Sequence, residues 1–432
     1  MLAFRKLCLG VAAASFLVVL AGLALGYSAL WSPAAALAAV ALAIGLGAVP
    51  SLKGYQFTAW IVAAVVAAML YPNAFLKVGD FDLRNKWLIL LVIQTVMFGM
   101  GTQMSLHDFS GVVKTPRGVL VGIVCHFSVM PLVGFALTKL FAFPPEIAAG
   151  IILIGSCSSG LASNVMAYLA RSNLVLSVTV TAITTLVAPF MTPLLMKLLA
   201  GTLVEVKFLN MMIEIIKIVI VPIAAALIHD HLKHVGPGRY RPWIAAQLGA
   251  AAVVVGIFLA HDSATVAAWP ANAQLALELA GFLLASIPVG VAYHQLTRLL
   301  PKLDAWMPRF SMAGIVYFTT VTTAAGRDNL LKVGALLFVA SVIHNAAGYF
   351  FGYWLSRAAG LDKSSARSVA FEVGLQNGGM ASGLAGAMGK LGTVGLAPAI
   401  FSPWMNISGS ILANFWHKRP PDDAPPPAPE RS

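Results

Sequence analysis

The sequence predicts an all-α polytopic membrane protein, and three observations carry that reading. Of the 432 residues, 59% are hydrophobic and only 10% charged, against about 25% charged in soluble domains. Apolar runs recur from one end to the other, and roughly 20 helical residues suffice to cross a hydrocarbon core of about 30 Å. The runs are continuous rather than alternating, which excludes a transmembrane β-barrel. The net charge of +12 would suit a nucleic-acid partner. Its basic residues lie in short connections, however, where membrane topology puts them, so no nucleic-acid partner is expected. Cys8, Cys125 and Cys157 all fall in apolar runs and read as small packing residues, not a disulfide framework.

Fourteen candidate spans follow in order: 7–28, 34–50, 56–76, 87–105, 118–142, 146–170, 173–200, 208–229, 243–261, 272–297, 307–325, 333–357, 365–388 and 392–416. Arg5 and Lys6 before the first run resemble the start of a signal peptide. That run is longer than a signal core and has no small-x-small cleavage site, so an uncleaved first helix is expected. The segment 417–432 is rich in proline and polar residues and reads as a disordered cytoplasmic tail. With the N-terminus inside, eighteen Lys and Arg fall in cytoplasmic segments and nine outside. That asymmetry is consistent with both termini being cytoplasmic, and the membrane expected is a bacterial-type plasma (inner) membrane.

An internal repeat is visible. Ser159–Ser163 reads SGLAS and Gly378–Ser382 reads GGMAS, and each precedes an apolar span with two prolines, Pro189 and Pro193 or Pro398 and Pro403. Paired glycine-interrupted spans point to a secondary transporter. The two spans run in opposite directions in this topology, as an inverted repeat requires. Ser, Ser and Gly in succession disfavour helix interior. Cys157–Gly160 and Gln376–Gly379 are therefore expected to be unwound, with freed backbone groups facing protein or a water-filled crevice. The half-helices after the breaks would turn positive dipole ends toward an anion. Two packing kinks are the plain alternative.

Glu372 sits mid-span, where an acidic group costs roughly 2.5–3.5 kcal/mol, and its own helix offers no evident basic partner. A bound cation would supply one. Nearby oxygen donors are Ser163, Asn164, Gln376 and Asn377, the hard ligands that suit sodium. Ser177 and Thr181 are four apart, so both hydroxyls share one helical face; bonding back to the preceding turn is the alternative. Glu214 and Lys217, three apart, read as a structural ion pair, and Glu278 as an interfacial acid. His344 lies among small residues suited to helix packing.

The stretches SGLASNVMAYLARSNLVLSVTVTAITTLVAPFMTPLL and EVGLQNGGMASGLA with FSPWMNISG resemble the two signature regions of the bile acid:sodium symporter family. The likeness runs from about Gln56 to Trp416, apart from an insertion. It implies ten core helices, the fourth and ninth broken and crossing, within about 14 in all. On this chain that places extra helices at 1–55, a first core repeat at 56–200, and a second at 201–416 with an inserted pair at about 243–300. The resemblance implies one sodium site on Ser163, Asn164, Ser177, Thr181 and Glu372, all matched in type. It implies a second on Glu372, the backbone of Val373 and Leu375, the Gln376 side chain and His126, where the family usually has Gln. His126 there would spoil the second site or couple a proton; a packed neutral imidazole is the alternative. Substrate contacts would fall on Ser158, Ser159, Gly160, Leu161, Asn377, Gly378, Gly379 and Asn406. Departures at Ser158, Ser159, Leu161 and Met405 border that crevice, so the family's bile acids are not assumed as cargo.

The function expected is a symporter importing a small organic anion with Na+ by alternating access. A proton-coupled carrier, with Glu372 or His126 titrating, is the runner-up. Hydrolysis by Ser159 or Ser163 lacks a base at suitable spacing, so no enzyme is expected. A receptor lacks a soluble signalling domain.

Overall fold

The computed structural model describes residues 2–49, 52, 55–236, 239–261 and 263–419; most of the expected tail lies outside them. Helices dominate. At the N-terminal end lie α1 (Leu2–Ala24), α2 (Ser28–Gly45), α3 (Gln56–Leu70) and α4 (Lys86–Gly101). A two-residue-per-strand hairpin, Lys77–Val78 with Phe81–Asp82, precedes α4. After a 70° bend come the short turn Leu106–Ser110 and α5 (Gly111–Lys114). Then follow α6 (Pro116–Leu140), α7 (Pro145–Ser156), α8 (Ala162–Leu169) and α9 (Leu174–Ala200). The span α10 (Phe208–Ile215) to α11 (Val221–Lys233) is continuous through a π-helical turn, Ile216–Ile220. Beyond it come α12 (Arg241–His261), α13 (Ala264–Ala267), α14 (Ala271–Leu299), α15 (Leu303–Ala325) and α16 (Arg327–Ala358). The chain closes with α17 (Lys363–Gly374), α18 (Gly378–Ala387) and α19 (Leu396–His417).

Local chemistry sets these boundaries. The Asn85 side chain accepts from the Trp87 amide at 2.9 Å and starts α4, as Asp362 does for α17 from Ser365 at 2.7 Å; both satisfy amides that have no partner inside the helix. Pro116 and Pro145 open α6 and α7, where a missing N–H costs nothing. Gly360, with φ of +77°, ends α16 in the left-handed conformation that favours glycine.

Eight described helices are long and apolar enough to cross a membrane, and nine if α4 and the bent segment after it count as one. The protein is thus a multi-pass membrane protein. The other expected spans are short (56–76), bent (87–105), broken (146–170, 365–388) or less apolar over their length (307–325, 392–416). The first two helices begin about five residues earlier than read from hydropathy, since Arg5 and Ser28 are tolerated in helical termini. The π turn and the hairpin had no reading from sequence.

Burial shows where the centre lies. Every residue of α7 from Ile147 to Ser156 is buried, and every residue of α17 from Ser364 to Gly374. These two run through the middle, wrapped by α6, α9, α16 and α19. By contrast α12 buries only Ala250. Small residues let α16 approach closely: a Cβ on Gly348 would meet Gly374 Cα at 2.8 Å, and one on Gly352 would meet Ala370 Cα at 3.0 Å. His344 is buried beside α6, with Nε2 2.8 Å from the Met130 carbonyl.

The Glu214–Lys217 pair forms at 2.7 Å, and Glu278 joins it. It reaches the same ammonium at 3.0 Å, tying α14 to the α10–α11 span. Lys217→Met would leave two carboxylates together without their counter-ion, and should cost roughly 3 kcal/mol. Thermal unfolding in detergent would register this as a lower Tm; an unchanged Tm would mean the triad is solvated.

Candidate functional site

The sequence breaks both central spans, and the breaks meet. The helix α7 stops at Ser156 and α8 starts at Ala162, while α17 stops at Gly374 and α18 starts at Gly378. The first interruption covers the expected 157–160. The second is Leu375–Asn377, so Gly378 and Gly379 belong to the following half-helix rather than to the unwound segment. Ser159 and Gln376 pair as an isolated antiparallel bridge. Around it Gly160 N donates to Leu375 O at 3.0 Å and Asn377 N to Ser158 O at 2.8 Å. A Cβ on Gly160 would lie 2.7 Å from the Gln376 carbonyl oxygen, so only glycine permits this approach.

Interrupting a helix in lipid frees carbonyls that must find donors. Here they do. Thr192 Oγ1 donates to Ser156 O at 2.7 Å. Gln376 Nε2 donates to Val373 O at 2.7 Å, and Asn345 Nδ2 to Gly374 O at 2.8 Å. Leu375 O also accepts from Ser159 Oγ at 3.3 Å. His126 lies between the two breaks, Nε2 2.8 Å from Cys157 O and Nδ1 2.9 Å from Glu372 O. A neutral imidazole donates to one of these oxygens, an imidazolium to both. His126 therefore touches the main chain of Glu372, not its carboxylate. His126→Leu strips a donor from one or both buried carbonyls, at about 1–3 kcal/mol each. The expected result is a lower Tm with the fold retained by circular dichroism.

The carboxylate itself is fully buried. Thr181 Oγ1 donates to Glu372 Oε2 at 2.7 Å, and Ser177 Oγ to Oε1. The same hydroxyls lie 3.2 Å and 3.0 Å from Asn164 Oδ1, and Ser163 Oγ is 3.2 Å from Thr181. So Ser163, Asn164, Ser177, Thr181 and Glu372, from α8, α9 and α17, converge. Ser177 and Thr181 carry one proton each, yet stand between two acceptor groups apiece. The cluster is short of positive charge: among the described residues no basic side chain pairs with Glu372. Gln376 Oε1, a few residues on, is buried with no partner. An all-oxygen, acceptor-rich, anionic cluster has the chemistry of a hard-cation site.

The residues expected to contact substrate divide. The side chains of Ser158 and Asn377 face each other across the breaks, Asn377 Nδ2 3.4 Å from Ser158 Oγ. Ser159 Oγ is 3.3 Å from both Ser163 Oγ and Leu375 O. Leu161 is half-buried at the start of α8. Gly378 packs on Ser402, and Gly379 faces Met97 of α4. Asn406 bonds back to Ser402 O at 2.8 Å within α19, apart from the crossing bonds. Sequence reasoning missed Thr184, Thr192 and Asn345, whose side chains support the breaks; a polar residue mid-span was their only signal.

The family described as the Sodium Bile acid symporter family matches residues 89–261. A Bacillus subtilis protein, the uncharacterized sodium-dependent transporter YocS, is 32% identical over 367 residues, 85% of this chain and 92% of that one. The chain belongs to the bile acid:sodium symporter family. This symporter-family protein is accordingly a transporter and not an enzyme. A further relative is the probable chloroplastic sodium/metabolite cotransporter BASS1 of rice, 29% identical over 85% of this chain and 73% of that one. Among solved structures, the sodium proton antiporter MjNhaP1 from Methanocaldococcus jannaschii at pH 8 is similar in fold alone. Its TM-score is 0.54 at 12% identity, covering 90% of this chain and 98% of that one.

Proposed function

We propose that the chain imports a small organic anion together with sodium by alternating access, in a bacterial-type plasma membrane with both termini cytoplasmic. The observation that carries this reading is the buried Glu372 carboxylate, surrounded by Ser177, Thr181, Asn164 and Ser163 and, among the described residues, without a basic partner. Sodium arriving as cargo supplies the missing charge. It binds elements from both interrupted spans and α9, so its arrival changes how firmly the breaks are held. The half-helices α8 and α18 turn their N-terminal amides toward the crossing, which favours an anion there. Ser158, Ser159, Gly160, Leu161, Asn377, Gly378, Gly379 and Asn406 are its proposed surroundings.

The moving parts are a core of α6–α9 and α16–α19 and a panel of α3, α4, α10–α11 and α15, ten core spans in two inverted repeats among fourteen. Support for this division comes from the antiparallel meeting of the breaks and from the glycine face of α18. A Cβ on Gly383 or Gly386 would meet Ile93 or Ile89 of α4 within 2.8 Å, a smooth contact that can slide. A second sodium is proposed at Glu372, Val373 O, Leu375 O and Gln376, beside His126, whose ring nitrogens face Glu372 O and Cys157 O and leave it to support the site or couple a proton. With two sodium ions and a monoanion, one net charge crosses per cycle, adding about 2.3 kcal/mol of drive per 100 mV.

The test is uptake into proteoliposomes with an imposed sodium gradient, after a thermal-shift screen of organic anions with and without sodium has chosen the substrate. Accumulation that collapses when sodium is equal on both sides is expected. Accumulation driven by a pH step in sodium-free buffer would replace the sodium reading with proton coupling.

A further inference from the structure

A cavity of about 600 Å³ lies away from the crossing, between α4, the α10–α11 span, α12, α14 and α18. Two of its walls, α12 and α14, are the helices added to the ten-helix core. Ile93, Ile257, Phe258 and Phe282 make much of it apolar, and the charged triad Glu214–Lys217–Glu278 lines it together with Lys86. A cavity of this size with an apolar wall and a few fixed polar groups is the usual form of a small-molecule site.

The charge of that group selects a class of occupant. Two carboxylates share one ammonium, at 2.7 Å and 3.0 Å, leaving one net negative charge. The accessible part is the negative part: the Glu214 and Glu278 side chains are 36% and 34% exposed, against 10% for Lys217. Lys217 is further held over the Phe282 ring at 5.3 Å. An organic anion is disfavoured there, and a group bearing N–H donors and positive charge is favoured. Lys86, exposed and also lining the cavity, offers a second pole of opposite sign. The helix α12 is apolar and buried only at Ala250, as a lipid-facing wall would be.

We propose that the cavity binds a lipid with a primary-ammonium headgroup, of the phosphoethanolamine type. Its ammonium lies on Glu214 and Glu278, its phosphate toward Lys86, and its acyl chain along Ile257, Phe258 and Phe282. Because Gly383 and Gly386 of α18 also line the cavity, the occupant touches the half-helix that follows the second break. The inference does not depend on sodium coupling.

The test is thermal unfolding of the full chain in detergent and sodium-free buffer, with four additives. These are lysophosphatidylethanolamine, lysophosphatidylcholine, lysophosphatidylglycerol, and phosphoethanolamine without a chain. Lysophosphatidylethanolamine is expected to raise Tm by at least about 3 °C, and the others by far less, since choline keeps the charge but has no N–H. Ala285→Trp, which fills the cavity from a position seven residues beyond Glu278 on α14, should abolish the shift, and Glu278→Gln should remove the preference for ethanolamine over choline. Equal shifts from the three lysolipids would overturn the proposal, as would a full shift in Ala285→Trp. An equal shift from chainless phosphoethanolamine would replace the lipid by a soluble ligand.

Discussion

Glu372→Gln is expected to reduce sodium-driven uptake by at least about 100-fold, the equivalent of the roughly 3–5 kcal/mol by which a buried charge pair is broken when one partner is removed. Glutamine keeps the size and can keep hydrogen bonds to Ser177 and Thr181, but it brings no negative charge to offset a cation. The sign of the stability change separates this from misfolding. Without sodium the variant no longer buries an uncompensated carboxylate, so its Tm should equal or exceed that of the parent. Adding sodium should raise the Tm of the parent and leave the variant unmoved, since a ligand stabilises only the state that binds it, by about 2.7 kcal/mol at a hundred times Kd. Parent-like uptake, or a sodium-induced Tm shift of parental size in the variant, would remove Glu372 from the cation site.

Gly160→Val should have the other large effect. The added carbon would sit 2.7 Å from a main-chain oxygen of the second break, and neither partner is a flexible side-chain end. Parting the strands loses the hydrogen bonds Gly160 N to Leu375 O and Asn377 N to Ser158 O. Overpacking costs about 1–3 kcal/mol before those losses, so Tm should fall by several degrees and uptake should vanish. Gly160→Ala should show a smaller drop in the same direction. Gly249→Ala, in open space on α12, is the control and should be neutral or slightly stabilising, as alanine outranks glycine in a helix by about 1 kcal/mol. Parental uptake in Gly160→Val would mean the breaks need not touch.

Much of the site was readable because its residues violate local rules. Serine, glycine and an acid in apolar spans cost free energy wherever they fall, so each marks a place where something must offset it. The 157–160 interruption came directly from that reasoning, and the grouping of Ser177 with Thr181 from their four-residue spacing on one helical face. The end of the second interruption did not. Gly378 and Gly379 discourage helix by propensity, yet Asn377 caps the half-helix through Met380 N at 2.9 Å and draws both glycines into it. The bond from Lys217 to Glu278 could not be read either, because the two lie 61 residues apart on different spans. His126 could be placed near the crossing by resemblance, but its two carbonyl partners, 31 and 246 residues distant, have no trace in local pattern.

By itself the sequence determined that this chain is a helical membrane protein with two interrupted spans and a lone acid that demands a counter-charge. Those are properties of single segments, fixed by the free energy of placing each residue in lipid. The tertiary structure decided which freed carbonyl meets which donor, which hydroxyls reach Glu372, and that α12 and α14 help line a charged cavity. Such choices depend on distances between segments far apart in the chain, and no periodicity or composition records them.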